Sequence, residues 1–220
     1  MRLGDDDLIQ VESFTLGPVM TNCYLVYEEE NAQALVIDPG SGPKQLLERI
    51  ERLKLKVEAI LLTHAHFDHI GGVEEVRQAT KAPVYIHREE AEWLLEPDLN
   101  GSGLFTGLDP IRCQKAEQIL DGGETLPLLG REIAVTHTPG HSPGSVSYAL
   151  DTMIFSGDVL FAGSIGRTDF PGGDYTTLMR SIREVMMELP EETVIYSGHG
   201  PVTTVGQEKD TNPFITGAVD

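Results

Sequence analysis

The chain has 220 residues, enough for one large domain or two small ones. Its formal net charge is -19, from 35 acidic and 16 basic side chains. Such a surface argues against a nucleic-acid partner, because phosphate contacts require Lys and Arg. The sequence contains no run of about 18 apolar residues, so it predicts no membrane-spanning helix.

The N-terminal segment and the cysteines give no indication of secretion. Residues 1–7 include three aspartates and lack the apolar core of a signal peptide. The two cysteines, Cys23 and Cys113, are too few and too distant to form a disulfide framework. We therefore expect a cytoplasmic protein.

The first half of the chain alternates predicted strands and helices. Leu46, Leu47 and Ile50 recur at helical spacing, and Pro43 suits a first helical turn. The predicted elements are strands at 8–14, 23–27 and 34–37, a helix at 43–53, a strand at 59–62, a helix at 69–80, a strand at 84–86 and a short helix at 88–95.

The second half begins with segment 96–114, which its prolines and glycines predict to be an irregular loop. A loop of this length is either a wall or lid of a site or a surface connection. After it we expect strands at 117–120, 132–136, 146–150 and 153–155 in a second sheet, a helix at 174–189 and a last strand at 193–196. No linker interrupts the pattern, so we expect one domain over 1–220.

A dense cluster of metal-competent side chains lies at residues 64–69. His64, His66, Asp68 and His69 follow the apolar run 59–62 directly. Imidazole and carboxylate groups at close spacing are ligands of zinc and non-haem iron. Side chains two residues apart in an extended segment project the same way, so His64 and His66 can share one ion. Asp68 and His69 then enter a helix and are displaced toward a second ion.

Three later residues complete a candidate ligand set. His141, Asp158 and His199 each follow a short apolar stretch and stand beside glycine. In such a pattern a strand ends and the backbone turns sharply. Ligands at the ends of several strands can converge on one edge of a sheet.

With these residues in place, the chain resembles the metallo-β-lactamase superfamily, and within it the short, single-domain glyoxalase II-like hydrolases. The matching blocks occur in the family's order at 21–26, 36–40, 63–69, 138–141, 163–170 and 198–201. The resemblance implies a four-layer αβ/βα sandwich of two mixed β-sheets flanked by helices. The element pattern alone indicates only an α/β or α+β protein.

The resemblance also implies a dinuclear metal site. It assigns His64, His66 and His141 to one divalent ion, and Asp68, His69 and His199 to the other, with Asp158 bridging them. Zinc is the expected metal, and iron or manganese would suit the same ligands. Among the ligands, His66, Asp68 and Asp158 are the predicted catalytic residues.

The reaction implied is hydrolysis of a small thioester, such as S-lactoylglutathione, by a metal-bridging hydroxide. A thiolate leaves readily because its thiol has a pKa of about 8.5. Arg167 and Phe170 are the predicted substrate contacts, and Arg167 pairs either with a substrate carboxylate or with Asp169. Only about twenty residues follow His199, too few for the helical domain that completes the glutathione site in longer relatives. The substrate is then a shorter or different thioester, or glutathione bound more loosely.

Three alternatives remain open from the sequence. The first is a persulfide dioxygenase, a class that shares the run at 166–170 and uses a single iron. The second is a lactonase, which would use the same metals. The third is a non-catalytic metal-binding protein. Asp38 is expected to cap a turn or to orient a ligand histidine. His87, His137 and Cys23 are expected to be structural.

Overall fold

In a computed structural model, which describes residues 9–104, 107 and 109–218, two six-stranded mixed β-sheets pack face to face. The first sheet consists, in spatial order, of β1 (Gln10–Leu16), β2 (Thr21–Glu28), β3 (Gln33–Ile37), β4 (Lys56–Leu61), β5 (Val84–His87) and β6 (Gln118–Leu120). The second consists of β7 (Thr125–Leu128), β8 (Arg131–His137), β9 (Val146–Leu150), β10 (Met153–Gly157), β13 (Val194–Ser197) and β14 (Thr203–Thr204), in the order β14-β13-β10-β9-β8-β7. A small hairpin, β11 (Leu160–Phe161) and β12 (Ser164–Ile165), stands apart.

Helices cover the outer faces of both sheets. The α-helices are α1 (Lys44–Leu53), α2 (Phe67–Ile70), α3 (Val73–Thr80), α4 (Pro97–Asn100), α5 (Tyr175–Glu184), α6 (Val205–Thr211) and α7 (Pro213–Thr216). Short 3-10 helices occupy Arg88–Leu94, Ser102–Leu104 and Met186–Glu188. Apolar residues of α1 and α3 pack on the first sheet, and those of α5 and α6 pack on the second.

Strand β2 shows how the sequence divides the core into layers. All eight of its residues are buried, as expected for a strand covered on both faces. Cys23 and Leu25 face the helices, whereas Tyr24 and Val26 face the second sheet. This alternation follows from the two-residue period of a strand. The resulting order of helix, sheet, sheet and helix confirms the predicted α/β four-layer sandwich.

The connections bring the ends of several strands to one edge. Strands β3, β4, β5 and β6 pair in parallel, so their carboxyl ends point the same way. In the second sheet β10 and β13 are also parallel. The loops after these strands therefore lie close together, and this edge carries the candidate site.

The strand prediction needs correction at one assignment and one omission. The strand predicted at 117–120 for the second sheet is Gln118–Leu120, and it pairs with β5 in the first sheet. Local sequence does not reveal the partner of so short a strand, because pairing is a tertiary contact. The prediction also missed Thr125–Leu128, an edge strand in which Pro127 weakens the strand signal.

The helix predicted at 69–80 is two helices, separated at Gly71 and Gly72. A Cβ at Gly72 would lie 2.3 Å from the carbonyl oxygen of Gly40, so the close packing of this turn requires glycine. The helix predicted at 174–189 ends at Glu184 and is followed by a 3-10 turn.

The loop predicted at 96–114 also contains helix α4 and a 3-10 turn, while its residues 105, 106 and 108 lie outside the described residues. The segment after His199 contains β14, α6 and α7. Helix α7 begins with Asn212 as its N-cap and Pro213 in its first turn, so this proline starts a helix. The N-terminal residues 1–8, including the start of the first predicted strand, lie outside the described part. Within that part, no helix combines the length and apolar character needed to cross a membrane.

Candidate metal centre

The predicted ligands lie at one edge of the two sheets, just after the strands that carry them. His64 follows β4 of the first sheet, and His141 follows β8 of the second. Asp158 comes directly after β10, and His199 lies two residues beyond β13. The fold thus brings together side chains that are far apart in the sequence.

The first group of donors consists of His64, His66 and His141. One ring nitrogen of each lies within 4.8 Å of the others, and all three side chains are buried. Nδ1 of His66 and Nε2 of His141 are 2.9 Å apart. Two ring nitrogens at this distance must share a proton or a cation, because two lone pairs would repel. These are the three histidines predicted to hold one ion.

The second group consists of Asp68, His69 and His199, whose donor atoms also lie within 4.8 Å of one another. Oδ2 of Asp68 is 3.2 Å from Nε2 of His199 and 3.4 Å from Nε2 of His69. The Thr21 hydroxyl donates a hydrogen bond to the same oxygen at 2.7 Å. This bond fixes the carboxylate beside the two rings.

Asp158 lies between the two groups. Its Oδ1 is 3.3 Å from Nε2 of His69, and its Oδ2 is 3.5 Å from Nε2 of His199. The same Oδ2 lies 3.7 Å from Nε2 of His141, in the first group. One carboxylate thus reaches both groups, which is the geometry that a bridging ligand requires.

Hydrogen bonds fix the orientation of three of the rings. Nδ1 of His141 donates to the carbonyl of Arg167 at 2.8 Å, and Nδ1 of His69 donates to Asp38 at 2.9 Å. Nδ1 of His64 lies 3.1 Å from the Thr63 hydroxyl oxygen. In a neutral ring with a proton on Nδ1, Nε2 carries the lone pair that a metal needs.

Asp38 holds the first-sheet side of the site together. It has a φ of 49°, a conformation that Asp tolerates better than most residues. Its carboxylate accepts hydrogen bonds from the Thr63 amide at 2.8 Å and the Thr63 hydroxyl at 2.6 Å, as well as from His69. It also lies within 4.8 Å of donor atoms of His64 and His69. Its hydrogen bond to Nδ1 of His69 orients that ring, which is one of the two roles expected from the sequence.

The first group is held in the neutral form. Burial lowers the pKa of His64 well below its ordinary value, and the nearby rings of His69 and His66 add to this effect. Burial and the neighbouring His141 bring the pKa of His66 to about 3. Burial also lowers the pKa of His141, although Asp158 opposes it. Neutral imidazole is the form that binds a metal ion.

The second group has the opposite electrostatic character. Burial alone would lower the pKa of His69, but Asp68 and Asp158 outweigh it and raise that pKa well above its usual value. Burial likewise opposes ionisation of the two aspartates, but His69 dominates and lowers the pKa of both. The pKa of His199 is raised because its contacts with Asp68 and Asp158 outweigh burial. Positive charge is therefore favoured at the second group, beside Asp68 and Asp158.

Three buried atoms indicate that the cluster binds a ligand. Among the described residues, Nε2 of His64, Nε2 of His69 and Oδ1 of Asp158 have no hydrogen bond, although the last two lie 3.3 Å apart as an ion pair. An unpartnered buried polar atom costs about 1–3 kcal/mol, so Nε2 of His64 in particular requires an explanation. Nitrogen and carboxylate donors suit zinc, iron or manganese. The residues present therefore fit divalent cations.

A cavity of about 470 Å³ opens beside the cluster. Five ligand candidates line it, together with Arg167 and Phe170, the predicted substrate contacts. Pro18, Val19 and Phe67 form an apolar part of its wall. Gly107, within the loop predicted at 96–114, also lines the cavity, as expected if that loop forms a wall of the site.

Arg167 forms the ion pair that the sequence left as one of two alternatives. Its Nε and a terminal nitrogen donate to the two carboxylate oxygens of Asp169 at 2.7 and 2.8 Å. Its guanidinium also lies 3.8 Å from the ring centre of Phe170. The ring of Phe170 in turn stands edge-on to His66 at 5.7 Å. Both predicted contact residues thus stand at the cavity, with the Arg167 charge already matched.

Sequence analysis missed several residues that support the site. Thr21 and Asn22 lie within a matching block, but the sequence shows no partner for either. Asn22 donates to the carbonyls of Ser197 and Gly200, on both sides of His199, at 3.1 and 2.9 Å. Only a tertiary contact reveals this role, because the partners lie about 175 residues away.

The ring of Trp93 packs against His66 at 5.8 Å and was likewise not predicted. The histidines expected to be structural do lie outside the donor groups. His87 and His137 stack at 4.3 Å, and each has a ring nitrogen at hydrogen-bonding distance from a backbone carbonyl. Cys23 is buried in the core between the first sheet and its helices.

Comparison with known proteins finds relatives over most of the chain. Residues 16–199 match the family model described as the metallo-beta-lactamase superfamily. The probable metallo-hydrolase YqgX of Bacillus subtilis is 44% identical over 204 residues, covering 92% of this chain and 95% of that protein. The hydroxyacylglutathione hydrolase GloC of Haemophilus influenzae is 38% identical over 210 residues, covering 94% of this chain and 98% of that protein.

Solved structures show the same fold. The crystal structure of the BLEG-1 B3 metallo-beta-lactamase has a TM-score of 0.91 and 47% identity, covering 94% of this chain and all of that one. The crystal structure of TTHA1623 in a di-iron-bound form has a TM-score of 0.80 and 40% identity, covering 93% of this chain and all of that one.

Proposed function

This chain belongs to the metallo-β-lactamase superfamily, and from that premise we propose that it is a metal-dependent hydrolase that cleaves a small thioester. We infer that the two sheets and their helices form one catalytic domain. The observation that carries the proposal is the position of Asp158, whose two oxygens face both donor groups. That arrangement suits a pair of metal ions that act on one substrate.

The proposed ligands divide into two sets. His64, His66 and His141 would hold one ion, and Asp68, His69 and His199 the other, with Asp158 between them. Zinc is the proposed metal, with iron or manganese as alternatives; TTHA1623, a protein of the same fold, binds two irons. When bound, such a pair supplies a water that ionises near neutral pH and a Lewis acid for a carbonyl oxygen.

The side chains around the ions would position the substrate and the water. Asp68, which accepts a hydrogen bond from Thr21 and has a lowered pKa, would remain ionised and would accept a hydrogen bond from the attacking water. Val19 and Phe67 exclude bulk water from one side of the cavity. The departing thiolate derives from a thiol with a pKa of about 8.5, so no acidic side chain has to protonate it.

A glutathione thioester, such as S-lactoylglutathione, is the first substrate to test. GloC, at 38% identity, is a hydroxyacylglutathione hydrolase. Arg167 and Phe170 are the proposed contacts for the part of the substrate beyond the thioester, because both line the cavity. The donors of the second group favour this hydrolase over a single-iron dioxygenase, which would leave Asp68, His69 and His199 without a metal.

The proposal is tested by measuring metal content together with hydrolysis of a panel of substrates. The panel contains glutathione and non-glutathione thioesters, a lactone, a β-lactam and glutathione persulfide with oxygen. We expect about two metal ions per chain and turnover of thioesters. One iron per chain with oxygen uptake on the persulfide would contradict the proposal.

Two variants test the assignment of the ligands. His66→Ala and Asp158→Ala should each abolish thioester hydrolysis and reduce metal content. His87→Gln, a change at a buried histidine outside the donor groups, is the control and should retain both properties. Wild-type turnover and metal content in either alanine variant would refute the assignment.

A further inference from the structure

Glu90 is a buried carboxylate to which the proposed reaction assigns no part. It lies in the 3-10 helix Arg88–Leu94, and its side chain is fully buried. Burying a carboxylate is costly unless hydrogen bonds compensate for the lost water. The partners of Glu90 therefore indicate what this side chain contributes.

The two oxygens of Glu90 bind two different loops. Oε2 accepts a hydrogen bond from the amide of Ala65 at 2.5 Å, and Oε1 accepts one from the amide of Gly144 at 2.7 Å. Ala65 lies between the first two histidines of the donor set, and Gly144 lies three residues after the third. One carboxylate thus joins the loops that carry all three members of the first group.

The packing around Gly144 fits this role. A Cβ at that position would lie 2.8 Å from Cγ of Glu90 and 3.1 Å from its Oε1. Only glycine lets the loop approach the carboxylate so closely. The contact between the Glu90 carboxylate and this loop thus depends on the glycine at position 144.

The two loops leave different sheets, so their separation depends on cross-links between the sheets. A backbone hydrogen bond from Val146 to the Thr63 carbonyl, at 2.8 Å, joins the strand ends. The Tyr148 hydroxyl adds a bond to the Leu62 carbonyl, also at 2.8 Å. The amide that Glu90 binds at Ala65 lies beyond both of these links, between His64 and His66 in the chain.

We propose that Glu90 is a positioning residue that holds the two loops at the separation at which His64, His66 and His141 share one ion. This inference rests on the metal ligands of the proposed function. A metal requires its donors at about 2.0–2.1 Å, so small loop shifts weaken binding. Residues that orient metal ligands typically change metal affinity by about 10–100-fold when they are replaced.

Glu90→Gln is the test variant, because it retains the size of the side chain but replaces one acceptor oxygen with an amide donor. That donor would face an N–H group, so one of the two loops loses its bond. Glu208→Gln is the matched control. Glu208 is also fully buried, and it accepts hydrogen bonds from Thr203, Gly163 and Asn212 at 2.6–2.8 Å, none of which is a proposed metal ligand.

The measurement is zinc affinity, by titrating metal-free protein with zinc in the presence of a competing chelator. Thermal unfolding of the same samples reports stability. We expect Glu90→Gln to weaken one of two zinc equivalents by about 10-fold or more. We expect Glu208→Gln to lower the unfolding temperature but leave both affinities unchanged.

Two results would overturn the inference. One is a Glu90→Gln protein that binds both zinc equivalents with wild-type affinity. The other is an equal loss of affinity in the Glu208→Gln control, which would indicate a general effect of lost stability. If the wild type binds two zinc ions but hydrolyses no thioester, the proposed function fails, while the zinc titration still decides the role of Glu90.

Discussion

Three buried histidines resist protonation in the metal-free protein, and this makes its free energy of unfolding depend steeply on pH. The pKa values of His64, His66 and His141 lie below the ordinary value in the folded state. In the unfolded chain these rings titrate near the ordinary value of about 6.5. Below that pH the unfolded state binds more protons, so stability is lost as the pH falls.

The size of the effect follows from the number of protons. Each extra proton bound by the unfolded state contributes about 1.4 kcal/mol per pH unit, so His64 and His66 together contribute about 3 kcal/mol, and His141 acts in the same direction. A typical free energy of unfolding is about 5–15 kcal/mol, so the metal-free protein should unfold within a few pH units. The raised pKa values of His69 and His199 act in the opposite sense. Their stabilisation is complete below a pH of about 6.5 and is lost as the pH rises through their folded-state values.

The assay is urea unfolding of chelator-treated protein, followed by circular dichroism at several pH values. Between about pH 6 and about pH 5 we expect the free energy of unfolding to decrease by several kcal/mol. His66→Gln should reduce the pH dependence of the free energy of unfolding by about one proton. An excess of zinc should shift the loss of stability to lower pH, because the ion competes with protons for the same nitrogens. A change of less than about 1 kcal/mol over this interval would refute the reasoning.

Two further variants test individual contacts. Asp38→Asn removes an acceptor shared by His69 and Thr63. In a zinc titration with a competing chelator, we expect this variant to bind one zinc equivalent about 10–100-fold more weakly. Unchanged affinity would show that Asp38 does not orient the His69 ring. Asp169→Asn frees the Arg167 charge. Because exposed ion pairs are weak, KM for an anionic thioester should fall by no more than about five-fold, while KM for a neutral thioester with the same acyl group stays constant. An equal change for both thioesters would contradict the electrostatic explanation.

Much of the fold could be predicted because its signals are local. The apolar run of β2 and the helical spacing of Leu46 and Ile50 appear directly in the sequence, and both correspond to buried parts of the core. The strand Gln118–Leu120 was assigned to the wrong sheet because three residues contain no information about their partner. The break at Gly71 and Gly72 likewise depends on the approach of Gly40, a contact across the fold.

The sequence by itself identified the candidate metal donors of this protein, since residues 64–69, His141, Asp158 and His199 are recognisable by type, spacing and order. Tertiary structure alone decided how those donors are held. Asp38, Thr21 and Glu90 act through hydrogen bonds between segments that are distant in the sequence. Such contacts depend on distance and direction in space, and a side chain that accepts a backbone N–H has no distinctive neighbours along the chain.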